Sequence, residues 1–216
     1  EWDDYERRVT EALAQFGVEV RSAHRAAAPD RAILEAKVVL MGGGNTFRLL
    51  DSLAGLDVLG ALATRVREGA TRYVGSSAGT NVTCPTIRTT NDMPICRPRS
   101  FDALGVLPFQ VNLHYVDADP TSTYMGETRD ERIEEFRAEN DCPGLAMYEG
   151  SWLRVRGERA TMRGPARLFA RHGVDDLHDG DDVTTLLRSK PTFDAVSYKH
   201  LRAHETVLDL VCRLLL

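Results

Sequence analysis

Apolar positions recur at helical spacing from the start of the chain: Tyr5, Val9, Ala12 and Leu13 share one face of Trp2 to Phe16, which reads as an amphipathic helix. Gly17-Val18-Glu19-Val20 follows as a short strand, and Pro29 to Ala36 as a second helix with proline in its first turn. The pattern then changes. Val38-Val39-Leu40-Met41 is an unbroken apolar run closed by Gly42-Gly43-Gly44, which predicts a strand buried on both faces. Phe47 to Leu53 and Val58 to Arg67 return to helical spacing, Arg72 to Val74 makes the next strand, and Ala78 to Val82 opens another helix.

Farther along, Val111 to Tyr115 predicts a strand, and Thr128 to Glu139 a helix whose Thr128-x-x-Glu131 start fits a capping box. Leu145 to Tyr148 is apolar again. Trp152 to Val155, Ala160 to Met162 and Ala166 to Ala170 alternate around Arg156-Gly157-Glu158, the pattern of hairpins finishing a sheet. Strands alternating with helices make βαβ units, so the expected fold is α/β: three layers, with helices on both faces of a mostly parallel sheet and sites at the carboxyl ends of its strands.

The two ends of the sequence stand apart from this pattern. The first helix is already under way at the first residues, which predicts an N-terminally truncated chain with sequence missing before Glu1. From about Lys190 onward no strand or cap logic joins the chain to what precedes, and Ser197 to Leu208 resembles translated sequencing-adapter sequence. A catalytic domain over residues 1–187 and a non-native tail over 188–216 is therefore the expected division, with a genuine C-terminal helix as the competing reading.

Composition narrows the class. With 216 residues, 43% of them hydrophobic, the chain can bury the core of one medium domain. A formal net charge of -5 argues against the clustered basic surface that nucleic acid or an anionic membrane requires and favours a small peptide or other small molecule as partner. Its four cysteines, Cys84, Cys96, Cys142 and Cys212, form no CxxC pair and have neither disulfide-framework nor zinc spacing. With no apolar run of membrane length and no signal-peptide pattern, the expected setting is the cytoplasm.

The chemistry gathers at Gly75-Ser76-Ser77-Ala78-Gly79, which matches the G-x-S-x-G elbow that turns a strand sharply into a helix and leaves the serine oxygen exposed. Only Ser77 has a glycine two residues to each side, so the register selects it over Ser76. A glycine-rich turn without chemistry has the same pattern. Gly42-Gly43-Gly44-Asn45 also links a strand to a helix, and its N-H groups have the placement of an oxyanion hole, a phosphate-binding turn or a merely tight turn being the competing readings.

An acyl-transfer serine needs a base and an acid to orient it. Of six histidines, His24 is isolated, His172 and His178 lie in charged loops, and His200 and His204 fall in the suspect tail. His114 remains, at the end of a strand, where a lone histidine is more often structural. Asp92, Asp117, Asp119, Glu127 and Glu149 all compete as the acid; Glu149 directly follows the apolar strand Leu145 to Tyr148.

At these residues the sequence resembles the S51 family of serine peptidases, the peptidase E-type aspartyl dipeptidases, over roughly Trp2 to Leu187. The run Cys84-Pro85-Thr86-Ile87-Arg88-Thr89-Thr90-Asn91-Asp92-Met93-Pro94-Ile95 carries the resemblance most specifically, with Gly42 to Phe47, Gly126 to Arg129 and Glu149 to Trp152 in the same order as in the family. The resemblance implies a class I glutamine amidotransferase-like fold lacking its first strand-helix-strand unit. It also implies a Ser77-His114-Glu149 triad, an oxyanion hole from the N-H groups of Gly44 and Ala78, dipeptide substrates beginning with aspartate, and no metal or other cofactor.

An N-terminal aspartate would need a cation for its side chain. Arg129 is the first choice, unless it pairs with Asp130 or Glu127, and Arg88 the second; Asp92 would hold the substrate ammonium or serve as the triad acid. Ser76 stands where the family commonly has an aromatic, Leu113 where it has proline, and the loop Asp119 to Met125 lacks a histidine often found there. The alternatives are therefore a broader dipeptidase, a cyanophycinase-like peptidase, or a non-catalytic ligand-binding paralogue. A homodimer is compatible with all of them.

Overall fold

Local sequence dictates the first elements of the computed structural model, which describes residues 2–121, 123 and 126–194. Helix α1 (Trp2–Ala14) forms as its periodicity predicts. The strand expected over Gly17 to Val20 does not form. Side chains of the segment after it turn back onto α1 instead: Arg25 reaches Glu6 at 2.5 Å and Asp3 at 2.7 Å, and His24 Nε2 lies 2.9 Å from Asp3. A strand also needs a neighbour to satisfy its backbone, and no described strand lies beside this segment.

Next come α2 (Pro29–Glu35), β1 (Val38–Met41), α3 (Thr46–Gly55), α4 (Leu59–Arg67) and β2 (Arg72–Gly75). Strands β1 and β2 pair in parallel, Val38 opposite Arg72 through Met41 opposite Gly75. The two-sided burial expected of β1 is corrected: Val39 is buried in a cluster with Leu50, Leu53, Val58 and Leu62, whereas Val38 and Leu40 are 54% and 42% exposed. Helices α3 and α4 supply buried residues on one face of this small sheet, and the described residues leave the other open.

After the single turn α5 (Ala78–Asn81), the second half builds β3 (Gln110–Leu113), α6 (Arg129–Glu139), β4 (Gly144–Met147), the hairpin β5 (Trp152–Arg156) and β6 (Arg159–Arg163), then β7 (Ala166–Ala170) and β8 (Gly173–Leu177). The capping box at α6 is complete: Glu131 N donates to the Thr128 hydroxyl and Thr128 N to the Glu131 carboxylate. With α6 as the crossover, β3 and β4 pair in parallel. Strand β7 joins β4 antiparallel and β8 joins β7, while β5 and β6 form a separate hairpin turning at Gly157. Parallel pairing thus holds for β1–β2 and β3–β4, and the remaining described pairs are antiparallel, so the expectation of a mostly parallel sheet holds only around the expected site.

Phe109, Val111, Leu145, Met147 and Met162 fill the second core, with Tyr115, Ile133, Ala146 and Phe169 forming a smaller cluster next to it. At the end of the described chain, Thr192 exchanges two backbone hydrogen bonds with Asp141, each 3.0 Å. The rest of the expected tail, with His200, His204 and Cys212, lies outside the described residues. Among the described residues no helix is long and apolar enough to cross a membrane.

Candidate active site

The elbow follows from what its glycines exclude. A Cβ at Gly75 would lie 2.7 Å from the Gly79 carbonyl oxygen, and one at Gly79 would lie 2.0 Å from that of Met41, so neither position admits a side chain. Gly79 N donates to the Gly42 and Ser76 carbonyls, and Ser76 N to that of Met41, which pins the turn against β1. Between the two glycines Ser77 takes φ 50° and ψ −117°, a conformation costing on the order of 1–3 kcal/mol that lifts its side chain off the chain path. Ser76 does not share this positive φ. Gly43 must also be small, because a Cβ there would sit 3.3 Å from that of Ser77.

Strands β3 and β4 end side by side, Leu113 opposite Met147, so the residues just beyond them emerge at the same carboxyl edge. His114 turns out of β3 at φ 54°, which ends the strand two residues earlier than expected. The Tyr115 N-H donates to the Met147 carbonyl at 3.1 Å and fixes the far side of that turn. The imidazole thereby reaches Ser77 Oγ through Nε2 at 2.8 Å and hydrogen-bonds Glu149 Oε1 through Nδ1. His114 and Glu149 side chains are 53% and 76% exposed, so solvent screens their charges, and the hydrogen bond, more than Coulomb attraction, sets the ring's orientation.

The other acids are engaged elsewhere. Asp92 accepts from the N-H and hydroxyl of Thr46 at the start of α3, Asp117 from the Tyr148 hydroxyl, Asp119 from Thr121, and Glu127 lies 3.4 Å from Arg132. Gly44, at φ 139°, and Ala78 flank the serine, and their N-H groups have no acceptor among the described residues.

Arg129, half-buried at the first turn of α6, has no carboxylate within ion-pair distance among the described residues; neither Glu127 nor Asp130 pairs with it. Burial, then the neighbouring Arg132, holds its guanidinium below the usual arginine value. It donates at 2.5 Å to Asn91 Oδ1, while Asn91 Nδ2 donates at 2.7 Å to the Leu113 carbonyl beside His114. Asn91 and its partner Asn112 went unnoticed in the sequence, although Asn91 lies within the block that carries the family resemblance. Arg88 is corrected: Asp194 holds it through bonds of 2.6 and 3.0 Å, with Asn140 at 3.4 Å. Asn140 caps the opposite end of the 11-residue helix α6, about 16 Å from Arg129. In the loop from Asp119 to Met125, residues 122, 124 and 125 lie outside the described residues.

Ser77, His114 and Glu149 open into a groove of about 1640 Å³ that runs past Tyr148 and Trp152 of the β5 side. Among the described residues, Asp3, Glu6 and His24 form the one group with metal-ligand spacing, and Arg25 already pairs with both carboxylates there.

The model of Peptidase family S51 matches residues 1–163. Peptidase E of Streptomyces coelicolor is 50% identical over 195 residues, covering 89% of this chain and 80% of that protein. The "Probable alpha-aspartyl dipeptidase" of Drosophila melanogaster is 44% identical over 189 residues, covering 86% and 79%. The crystal structure of a peptidase from an acI-B1 actinobacterium shares the fold at a TM-score of 0.57 with 15% identity, over 84% of this chain and 75% of that one.

Proposed function

The chain belongs to peptidase family S51, and on that premise we propose that it is a serine hydrolase cleaving dipeptides with N-terminal aspartate through an acyl-enzyme. The observation that carries this reading is the hydrogen-bonded line Glu149–His114–Ser77 at the mouth of the groove. Residues 1–187 then form the catalytic domain, in a three-layer, class I glutamine amidotransferase-like arrangement. The three described cysteines, Cys84, Cys96 and Cys142, are free, which favours a reducing cytoplasm.

In this mechanism Ser77 Oγ attacks the scissile carbonyl carbon as His114 Nε2 takes its proton, and the carbonyl π pair moves onto oxygen facing the N-H groups of Gly44 and Ala78. Collapse breaks the C–N bond, and the imidazolium returns its proton to the leaving amine. Water then repeats the sequence on the ester, releasing aspartate and Ser77. Glu149 holds the Nδ1–H tautomer throughout, an arrangement in which the base is typically worth about 10² to 10⁴-fold. Arg129 receives the substrate's side-chain carboxylate, and Asp92, whose Oδ2 is taken up by Thr46, would meet the ammonium through its other oxygen.

Hydrolysis of Asp-Leu, Leu-Leu and Asp-Arg tests the reading directly. Cleavage of Asp-Leu alone, lost in Ser77→Ala, is the expected result. Cleavage of all three would replace it with a broader dipeptidase, and failure on all three together with an unlabelled Ser77 under a fluorophosphonate would refute it.

A further inference from the structure

Each of three proposed site residues has a sequence neighbour that joins one shared cluster. Tyr115 follows His114, Tyr148 precedes Glu149, and Asp130 follows Arg129. These neighbours converge on Arg167 of β7, whose side chain is 23% exposed. Its Nη1 donates to the Tyr115 hydroxyl at 2.8 Å and to Asp130 at 3.3 Å; its Nη2 lies 3.4 Å from Asp117, which accepts from the Tyr148 hydroxyl at 2.8 Å; and its Nε donates to Asp176 of β8 at 2.9 Å. The Tyr115 hydroxyl also donates to Asp130, and its ring meets that of Tyr148 edge-on at 4.9 Å.

We propose that Arg167 is a positioning residue for the reaction, locking together the three segments that carry base, acid and carboxylate-binding arginine. This rests on the function proposed above. Arg167 makes no hydrogen bond to His114, Glu149 or Arg129 and does not line the groove. Its place is set by the sheet: it lies opposite Ala146 of β4, three residues before Glu149, and opposite Asp176 of β8. A planar guanidinium can serve Tyr115, Asp117, Asp130 and Asp176 at once because its five donors lie in a fixed fork; the single ammonium of lysine cannot. The three segments come from the ends of two strands and the start of a helix, and Arg167 is the side chain whose bonds, directly or through Asp117, reach residues of all three. His114 and Glu149 are exposed, and beyond the hydrogen bond between them and that from the Tyr115 N-H to the Met147 carbonyl their placement leans on this cluster. Tyr115, 1% exposed, remains a hydrogen-bond donor because burial, then its bond to Asp130, pushes its hydroxyl far above the usual phenol value.

The test compares wild type, Arg167→Met, Arg167→Lys and Tyr148→Phe by three readouts: the rate at which a fluorophosphonate labels Ser77, kcat and KM on Asp-Leu, and the thermal midpoint. Misplacing reacting groups by about 1 Å costs on the order of 10²-fold. Folded Arg167→Met should therefore label and turn over about 10²-fold more slowly, with Arg167→Lys recovering part of the loss. Tyr148→Phe, which cuts only the Glu149 arm, should lower kcat and leave KM unchanged. A merely structural arginine would lower the midpoint while the folded fraction labelled at the wild-type rate, and that result overturns the proposal. Should Arg167→Met not fold, Tyr148→Phe with wild-type kcat and labelling overturns it equally. Wild type that labels but spares Asp-Leu refutes the substrate reading alone, because the labelling rates still decide the role of Arg167; wild type that does not label refutes both.

Discussion

The two halves of the site are built by different means. Around Ser77 the backbone does the positioning: two glycines leave room for a turn packed within 2.0–2.7 Å of where a Cβ would be, and the serine is held in a conformation that side chains rarely adopt. Around His114 and Glu149, parallel strand register brings two strand ends together, and a side-chain cluster centred on Arg167 holds what lies beyond them. A backbone-built element tolerates almost no substitution and leaves a short motif. A side-chain-built element spreads over residues far apart in sequence and leaves none.

Substitutions sharpen this contrast, beginning where loss should be greatest. Ser77→Ala removes the nucleophile itself, and turnover of Asp-Leu should fall on the order of 10⁶-fold with the far-ultraviolet spectrum unchanged. Glu149→Gln leaves the side chain's shape but destroys the tautomer-holding acceptor, lowering kcat about 10² to 10⁴-fold in steady-state kinetics. Gly79→Ala attacks the backbone half: overpacking against the Met41 carbonyl should lower the unfolding free energy by about 3 kcal/mol in urea and abolish labelling of Ser77. If Gly79→Ala were instead neutral, the turn would not be backbone-determined, and the contrast between the halves would break.

Smaller effects probe the side-chain half. Arg129→Met should raise KM for Asp-Leu about tenfold to a hundredfold and leave a neutral dipeptide unaffected, since a hydrogen bond to a charged group is worth about 1.5–3 kcal/mol. Thr128→Ala, which opens the capping box of α6, should cost about 1 kcal/mol in denaturant melts. Its pH dependence has a definite sign. The Thr128 N-H, then its hydroxyl, holds the Glu131 carboxylate below its ordinary value of 4.5. The stability Glu131 gives is whole above that value and lost as pH falls through the lowered one, so the difference between wild type and Glu131→Ala narrows in acid, while Thr128→Ala, which keeps the backbone N-H, loses only the hydroxyl's share.

Much of the first half was legible because local rules govern it. The elements α2, α3, α4, β1 and β2 fall where periodicity placed them, and the glycine spacing alone separated Ser77 from Ser76. The expected strand at Gly17 to Val20 failed because a strand is a relation to a neighbour, not a property of four residues. Burial on both faces of β1 failed for the same reason: an apolar run states a capacity to be covered, and only Val39 met a core. Strand β8, the acidic and largely exposed Gly173–Leu177, has no apolar alternation to announce it and exists because β7 offers it a ladder.

For the site the same division holds at the level of single residues. His114 and Glu149 could be proposed by elimination and resemblance, but a histidine beyond one strand and a glutamate beyond another, 35 positions apart, meet only if the strands pair in one register. Arg129 ranked ahead of Arg88 in the sequence; the fold put them at opposite ends of α6 and gave Arg88 an aspartate. Nothing local distinguishes Arg167 from its neighbours.

By itself, then, the sequence determined the positions of most helices and of the first parallel strands, the register of the strand-to-helix turn at Ser77 and the membership in family S51, because each depends on steric limits or patterns carried by adjacent residues. The tertiary structure alone decided how the acid that resemblance implied reaches the histidine, which arginine stays without a carboxylate partner among the described residues, and which distant arginine bonds, directly or through Asp117, to residues of all three segments. Those outcomes depend on distances between strand ends, and such distances exist only once the backbone hydrogen bonds between strands have formed.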